Sequence, residues 1–239
     1  MNVSASPPNA NSSPTPVTGK DPLPTALLAL TVVTGLVDAV SVLGLGRVFT
    51  ANMTGNIVFL GFAVAGAPEL SIVRALVSLG AFLVGAVLGG RLVTTMADSN
   101  RRKWVTTATS LEGVLLLAAA LVGIGYNHHL TLPTSSLYAG IVLTAIAMGI
   151  RNATVRRLGV PDLTTTVLTL TLTGIAADSS LAGGNTPRLG RRIGAVVALF
   201  GGAVIGTGLL SYGLTIPLLV SGVCVLAVAF YLRVSLTNA

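Results

Sequence analysis

The chain has 239 residues, 52% of them hydrophobic and 9% charged, with a formal net charge of +7 and a mean hydropathy of +0.86. Soluble domains carry roughly a quarter charged residues, so a soluble fold is excluded. A single cysteine, Cys224 within an apolar stretch, excludes a disulfide framework and a thiolate metal site.

Residues 1–24 are rich in Pro, Ser and Asn and too polar to bury a core, so a disordered tail is expected there. The first long apolar run opens at Thr25 and has no small-residue cleavage pattern, which predicts an uncleaved span over 25–46. Asp38 lies deep in that span. A charged carboxylate at such depth costs at least about 2.5 kcal/mol on insertion scales, and intramembrane ionisable groups mark solute or proton pathways. Asp38 is therefore the leading candidate for a proton- or cation-responsive group. The alternative is a structural acid that caps backbone donors at a re-entrant tip or pairs with one arginine.

The next apolar stretch, 53–67, is shorter and opens with Thr50-Ala-Asn-Met-Thr-Gly-Asn56. Thr50, Asn52, Thr54 and Asn56 supply oxygen ligands where the chain would reverse, and Gly55 permits the turn. Those side chains either face a solute or satisfy a broken backbone. A span over 73–97 carries Gly85, Gly89 and Gly90 at spacings that let helix backbones touch. A third, 104–126, carries Glu112, placed either to share a cavity with Asp38 or to snorkel to the headgroups. In the connection 127–134, His128 and His129 are adjacent and have no further ligands nearby, so no metal site is expected.

The span 135–155 brings Arg151, a candidate partner for Asp38, and Asn152. The stretch 163–177 is again short, and at helical spacing its Thr165, Thr169 and Thr173 share one face. Asp162 before it reads as a helix N-cap, and Asp178 after it as a residue that reaches water. Spans over 193–212 and 214–232 follow, the first with Gly201, Gly202, Gly206 and Gly208, and residues 234–239 form a short tail. The glycines of 73–97 and 193–212 suggest that these two spans form the seam between two halves.

The basic residues decide the topology. Eight crossings split the 14 Lys and Arg residues 8 to 6 at best, whereas six crossings plus two re-entrant segments place 12 on one side and only Arg47 and Arg74 on the other. Cytoplasmic loops carry the excess of Lys and Arg, so both termini and the side bearing Arg101, Arg102, Lys103, Arg151, Arg156 and Arg157 are expected inside. Trp104 and Tyr231 beside that charge fit an interfacial aromatic belt. Basic residues at the ends of apolar stretches contact phospholipid rather than nucleic acid, because no aromatic interleaving accompanies them.

A weak internal repeat agrees with this count. Gly35-Leu-Val-Asp38-Ala39 aligns with Gly149-Ile-Arg-Asn152-Ala153 at an offset of 114, and Thr50 and Thr54 align with Thr165 and Thr169 at 115. Gly85-Ala-Val-Leu-Gly89 aligns with Gly202-Ala-Val-Ile-Gly206 at 117, and Glu112-Gly113 with Ser221-Gly222 at 109. A repeat with three crossings enters the membrane upside down the second time, an arrangement found in transporters. The expected architecture is all-α and polytopic: six transmembrane helices plus two short re-entrant segments, in inverted halves over 25–126 and 135–233.

The run Gly35-Leu-Val-Asp-Ala-Val-Ser41 followed by Thr50-Ala-Asn-Met-Thr-Gly-Asn56 resembles the signature of the YoaK family, as do Gly149–Ala153 and Leu158–Thr166 later on. The resemblance covers residues 25–233 and implies a bacterial inner-membrane protein. Arg151 stands where that pattern carries glutamine, and Leu170 where it carries glycine. No nucleophile–base pairing or phosphate-cradling loop is present, so neither an enzyme nor a cofactor is expected. The functional expectation is a small permease for a solute or ion in the lipid bilayer, with proton or cation coupling. Its candidate path comprises Asp38, Thr50, Asn52, Thr54, Asn56, Glu112, Arg151, Asn152, Thr165 and Thr169. A channel and a non-transporting membrane scaffold are the alternatives.

Overall fold

A computed structural model describes residues 22–96, 101–126, 133–160, 165, 168–185 and 188–236. Over these the chain is helical and contains no strand. The helices are α1 (Leu23–Leu43), α2 (Met53–Val64), α3 (Ile72–Thr95), α4 (Arg101–Val122), α5 (Thr134–Leu158), α6 (Thr169–Ala177), α7 (Leu189–Leu210) and α8 (Thr215–Ser235), with a 3-10 turn at Ser180–Ala182. Lys20, His128, His129, Asp162 and most of both tails lie outside the described residues.

Six helices (α1, α3, α4, α5, α7 and α8) are long and apolar enough to cross a membrane. The other two are not. At about 1.5 Å per residue, the 12 residues of α2 and 9 of α6 reach roughly 18 and 14 Å, well short of a hydrocarbon core of roughly 30 Å. Local chemistry sets several boundaries. Ser71 caps α3 by accepting from Arg74 N at 3.3 Å, and Asn52 caps α2 by accepting from Gly55 N at 3.2 Å. Gly159 ends α5 in the left-handed conformation, just after Arg156 and Arg157 at the negative end of the helix dipole.

The centre of the molecule is made by α1 and α5, which are buried along most of their length, while α3 and α7 turn apolar faces outward. The main packing pairs are α3 on α5, α7 on α1 and α4 on α8, with α4 also on α5 and α8 on α1. Each of these joins a helix from residues 22–126 to one from residues 133–236. Within either stretch, the short helices pack on their neighbours, α2 on α3 and α6 on α7.

Glycines set the closest approaches, and they do so twice. A Cβ at Gly85 would run into the Ile146 carbonyl, and one at Gly202 into the Val32 carbonyl. Likewise Gly149 abuts the Phe82 carbonyl, and Gly35 the Leu199 carbonyl. Gly89 lies on Ile150 and Ala153, as Gly206 lies on Leu36 and Ala39. Small residues here allow backbone-to-backbone contact between apolar helices, where van der Waals packing drives association. The expected seam is thereby corrected: α3 and α7 each dock on the first helix of the other half instead of on one another. Gly90, Gly201 and Gly208, grouped with them in the sequence, have open space where a Cβ would stand.

The same contacts give the helix directions. Leu45, just beyond α1, touches Gly140 near the start of α5, whereas Leu30 and Thr34 meet Arg151 towards its end, so α1 and α5 run antiparallel. Gly113 and Gly123 of α4 meet Leu226 and Leu214 of α8 respectively, so those two are also antiparallel. Eight successive crossings would make α4 and α8 parallel. Six make them opposed, as found. Trp104, expected in the interfacial belt, is 8% exposed and joins the apolar core around Leu23, Leu27 and Leu232.

Candidate interior site

Buried charge is concentrated where α1, α4 and α5 meet. Glu112 of α4 and Arg151 of α5, each 1% exposed, form an ion pair through Arg151 Nη2 and Glu112 Oε1. Arg151 Nη1 donates to Leu30 O and to Thr34 Oγ1 of α1, both at 2.8 Å. One guanidinium thus ties three helices together, and its planar fork of donors suits that task better than an ammonium would. Arg151 Nε is buried without a hydrogen-bond partner. A cavity of about 10 Å³ adjoins the pair, lined towards the helix ends by Leu23, Val105, Leu158 and Leu232, with room for about one water.

This geometry corrects two expectations. Arg151 belongs to the core and not to the charged surface, because Glu112 and the α1 carbonyl replace its hydration. Arg151 is also paired with Glu112 and not with Asp38. Asp38 lies one turn beyond Thr34 on α1, within electrostatic range of Arg151. Its Oδ1 is buried and has no hydrogen-bond partner. Asn152, at the matching position of α5, donates Nδ2 to Met148 O at 2.8 Å. An ionised aspartate has no proton with which to do the same.

Sequence reasoning missed the hydroxyls of this region. Thr31, Thr34, Thr109, Thr144, Thr154 and Ser221 are buried, and each donates to the carbonyl four residues earlier at 2.6–3.1 Å. Singly, threonines in an apolar run attract no notice. Their spacing of 3 and 4 around Asp38 and Glu112 was the available signal.

The remaining path candidates are not brought to this cluster. Asn56 accepts from Phe49 N at 2.9 Å and donates to Phe49 O at 2.6 Å and Ser78 Oγ at 3.2 Å, closing the turn into α2. With Asn52 acting as the cap, both asparagines satisfy broken backbone. Thr50 is buried with no partner for Oγ1, and Thr54 is exposed. At the other short helix the threonine stripe breaks up. Thr165 precedes α6 with φ 60 and is buried, whereas Thr169 and Thr173 are exposed and Thr171 is the buried one. The stripe required a helix over 163–177, and α6 begins only at Thr169. Arg192 holds α6 on α7 through Gly174 O at 2.6 Å and Asp178 at 2.7 Å. Arg47 pairs with Glu69, and Arg74 donates to Gly46 O at 2.8 Å, at the turn beside α2.

No solved structure matches the chain. It is 34% identical over 156 residues to UPF0700 transmembrane protein YoaK of Bacillus subtilis (strain 168), covering 65% of this chain and 67% of that one. Residues 26–231 match the family described as a protein of unknown function, DUF1275. The match runs from the first turn of α1 into the last turns of α8, taking in Asp38, Glu112 and Arg151, and the chain is a multi-pass membrane protein of the DUF1275 family.

Proposed function

We propose that this protein is a small permease of the bacterial inner membrane and not an enzyme. Its two halves are inverted repeats, both termini are cytoplasmic, and Asp38 is the proton- or cation-responsive group of its solute path. The observation that carries the reading is the buried Glu112–Arg151 pair at the junction of α1, α4 and α5, with half-buried Asp38 one turn away and its Oδ1 buried without a partner. Such groups are costly in a bilayer, and a purely structural junction is met more cheaply by apolar packing. The inversion is supported by glycine contacts that recur at constant offsets and by the antiparallel run of α1 and α5. Inverted halves place substrate sites at their interface, which is where these three residues lie.

A non-transporting scaffold is the second reading, favoured by the tightness of the cavity, about 10 Å³. The two separate in proteoliposomes. A permease shows saturable flux with a panel of small cations and neutral solutes, lost in Asp38→Asn while the variant remains monodisperse in detergent. Equal flux in Asp38→Asn removes Asp38 from the mechanism, and absence of flux with every solute leaves the scaffold.

A further inference from the structure

Building on the permease reading, we propose that Asp38 binds one monovalent cation and that the protein is an obligatory exchanger, carrying a cation one way only against a second cation or a proton. Three observations lead there. The first is a charge count. Asp38 and Glu112 face one guanidinium, Arg151, and Arg151 is committed to Glu112, Thr34 and the Leu30 carbonyl. The other basic groups on the helices packed around this junction stand at helix ends: Arg74 and Arg91 on α3, Arg156 and Arg157 on α5, Arg191 and Arg192 on α7, Arg233 on α8 and Lys103 with its neighbours on α4. One negative charge is therefore left over inside the bundle.

The second observation is where that charge resides. Asp38 Oδ1 is buried and without a donor, so the leftover acceptor is specific. The third is the chemistry of the hydroxyls buried on α1, α4 and α5. Each hydroxyl of Thr31, Thr34, Thr109, Thr144 and Thr154 spends its proton on its own helix. What remains on each oxygen is lone pairs, as the bond from Arg151 to Thr34 illustrates. Hydroxyl oxygens with only lone pairs to offer suit a cation better than an anion. Among the described residues no three of His, Cys, Asp and Glu converge as a metal site. One carboxylate with neutral oxygens matches a monovalent ion better than a divalent one, which draws on more carboxylate ligands.

Exchange follows from the same count. With one monovalent cation aboard, the cluster is neutral. Empty, it holds a net charge that the low-dielectric interior opposes. Reorientation is thus fast only when occupied, and the returning site carries a proton or a second cation. Arg151 closes the route to Asp38 from the Leu23 end, since the small cavity stops at the Glu112–Arg151 pair.

The test uses purified full-length protein in proteoliposomes with a trapped pH dye, with sodium, potassium or lithium chloride added outside and the membrane potential clamped at zero. At least one cation should raise the internal pH saturably as protons leave, and which of them does so identifies the ion. Glu112→Gln cancels the leftover charge and should slow exchange by roughly tenfold or more. Adding Arg151→Gln restores the count of minus one, and the double variant should recover several-fold over Glu112→Gln. Undiminished exchange in Glu112→Gln overturns the proposal, as does a monodisperse double variant without recovery. Uptake driven by an imposed potential with no counter-ion overturns exchange and leaves the permease standing. Transport of a neutral solute with no response to the three cations overturns the cation assignment alone, whereas no flux of anything removes the permease reading as well.

Discussion

Two junctions of this molecule are built alike and filled differently. At one, α4 and α5 meet α1 with Glu112 and Arg151. At its counterpart, α8 packs on α1, and the matching positions hold Ser221 and Val37, both fully buried. Val37 contributes apolar packing, and Ser221 satisfies itself by donating to Pro217 O at 2.7 Å. The glycine seams flanking the two junctions are equivalent contact for contact. The scaffold therefore closes without ions at one junction, which indicates that it does not need them at the other. Charge at the α4–α5 junction is then chemistry added to a frame whose glycine contacts repeat.

Truncating one member of each junction should expose that difference most strongly. Glu112→Ala leaves Arg151 buried and unpaired, which costs about 3–5 kcal/mol. Ser221→Ala removes a back-bonded hydroxyl, and about 1 kcal/mol or less is expected. Denaturation in mixed micelles measures both. Comparable losses would mean that the second junction carries a polar load of its own.

Next in size are the seams. Gly85→Val and Gly202→Val each push a side chain against backbone, on α5 and α1 respectively, and each should cost about 3 kcal/mol, at the upper end of overpacking. Their neighbours Gly90→Val and Gly201→Val meet open space, and no loss of monodisperse protein is expected. If one seam tolerated the change and the other did not, the halves would be equivalent in sequence spacing only.

The short helices give a smaller contrast. Asn56→Ala strips Phe49 N of its partner and should cost about 1–3 kcal/mol. Thr171, the residue 115 positions on and likewise the buried one in its helix, should lose about 1 kcal/mol or less on substitution by Val. Hydrogen exchange at the turn before α2 reads the first effect locally.

Most of the frame was legible in the sequence because bilayer thickness fixes helix length, and because the Lys and Arg count favoured six crossings over eight. Asp38 was legible as an ionisable group at depth, whereas the sequence leaves Glu112 between the interior and the headgroups and counts Arg151 with the cytoplasmic charge. The pairing of Glu112 with Arg151 was not legible. The repeat alignment sets Arg151 beside Asn152, the mate of Asp38, and so points to Asp38. Which carboxylate Arg151 reaches depends on the rotation of α4 against α5, which no spacing in the sequence encodes. The hairpin threonines misled for a related reason. A hydroxyl stripe implies a shared face only if the helix is continuous, and the chain is already bent at Thr165, φ 60, before α6 begins.

The least disruptive comparison tests that last point. Thr54 and Thr169 occupy matching places at the starts of α2 and α6, and both are exposed. Thr54→Val and Thr169→Val remove no buried bond, so stability should change by no more than about 0.5 kcal/mol either way. Flux should not change either, because the interior cluster lies on α1, α4 and α5. Thr34→Val is the matched control: it is isosteric, but it deletes the hydroxyl that Arg151 Nη1 reaches at 2.8 Å, and it should lower flux. A fall in flux for Thr169→Val without loss of stability would return α6 to the path. The conduit would then have to pass between α6 and α7, beneath the clamp that Arg192 forms with Gly174 and Asp178, and Arg192→Ala should lower flux alongside it.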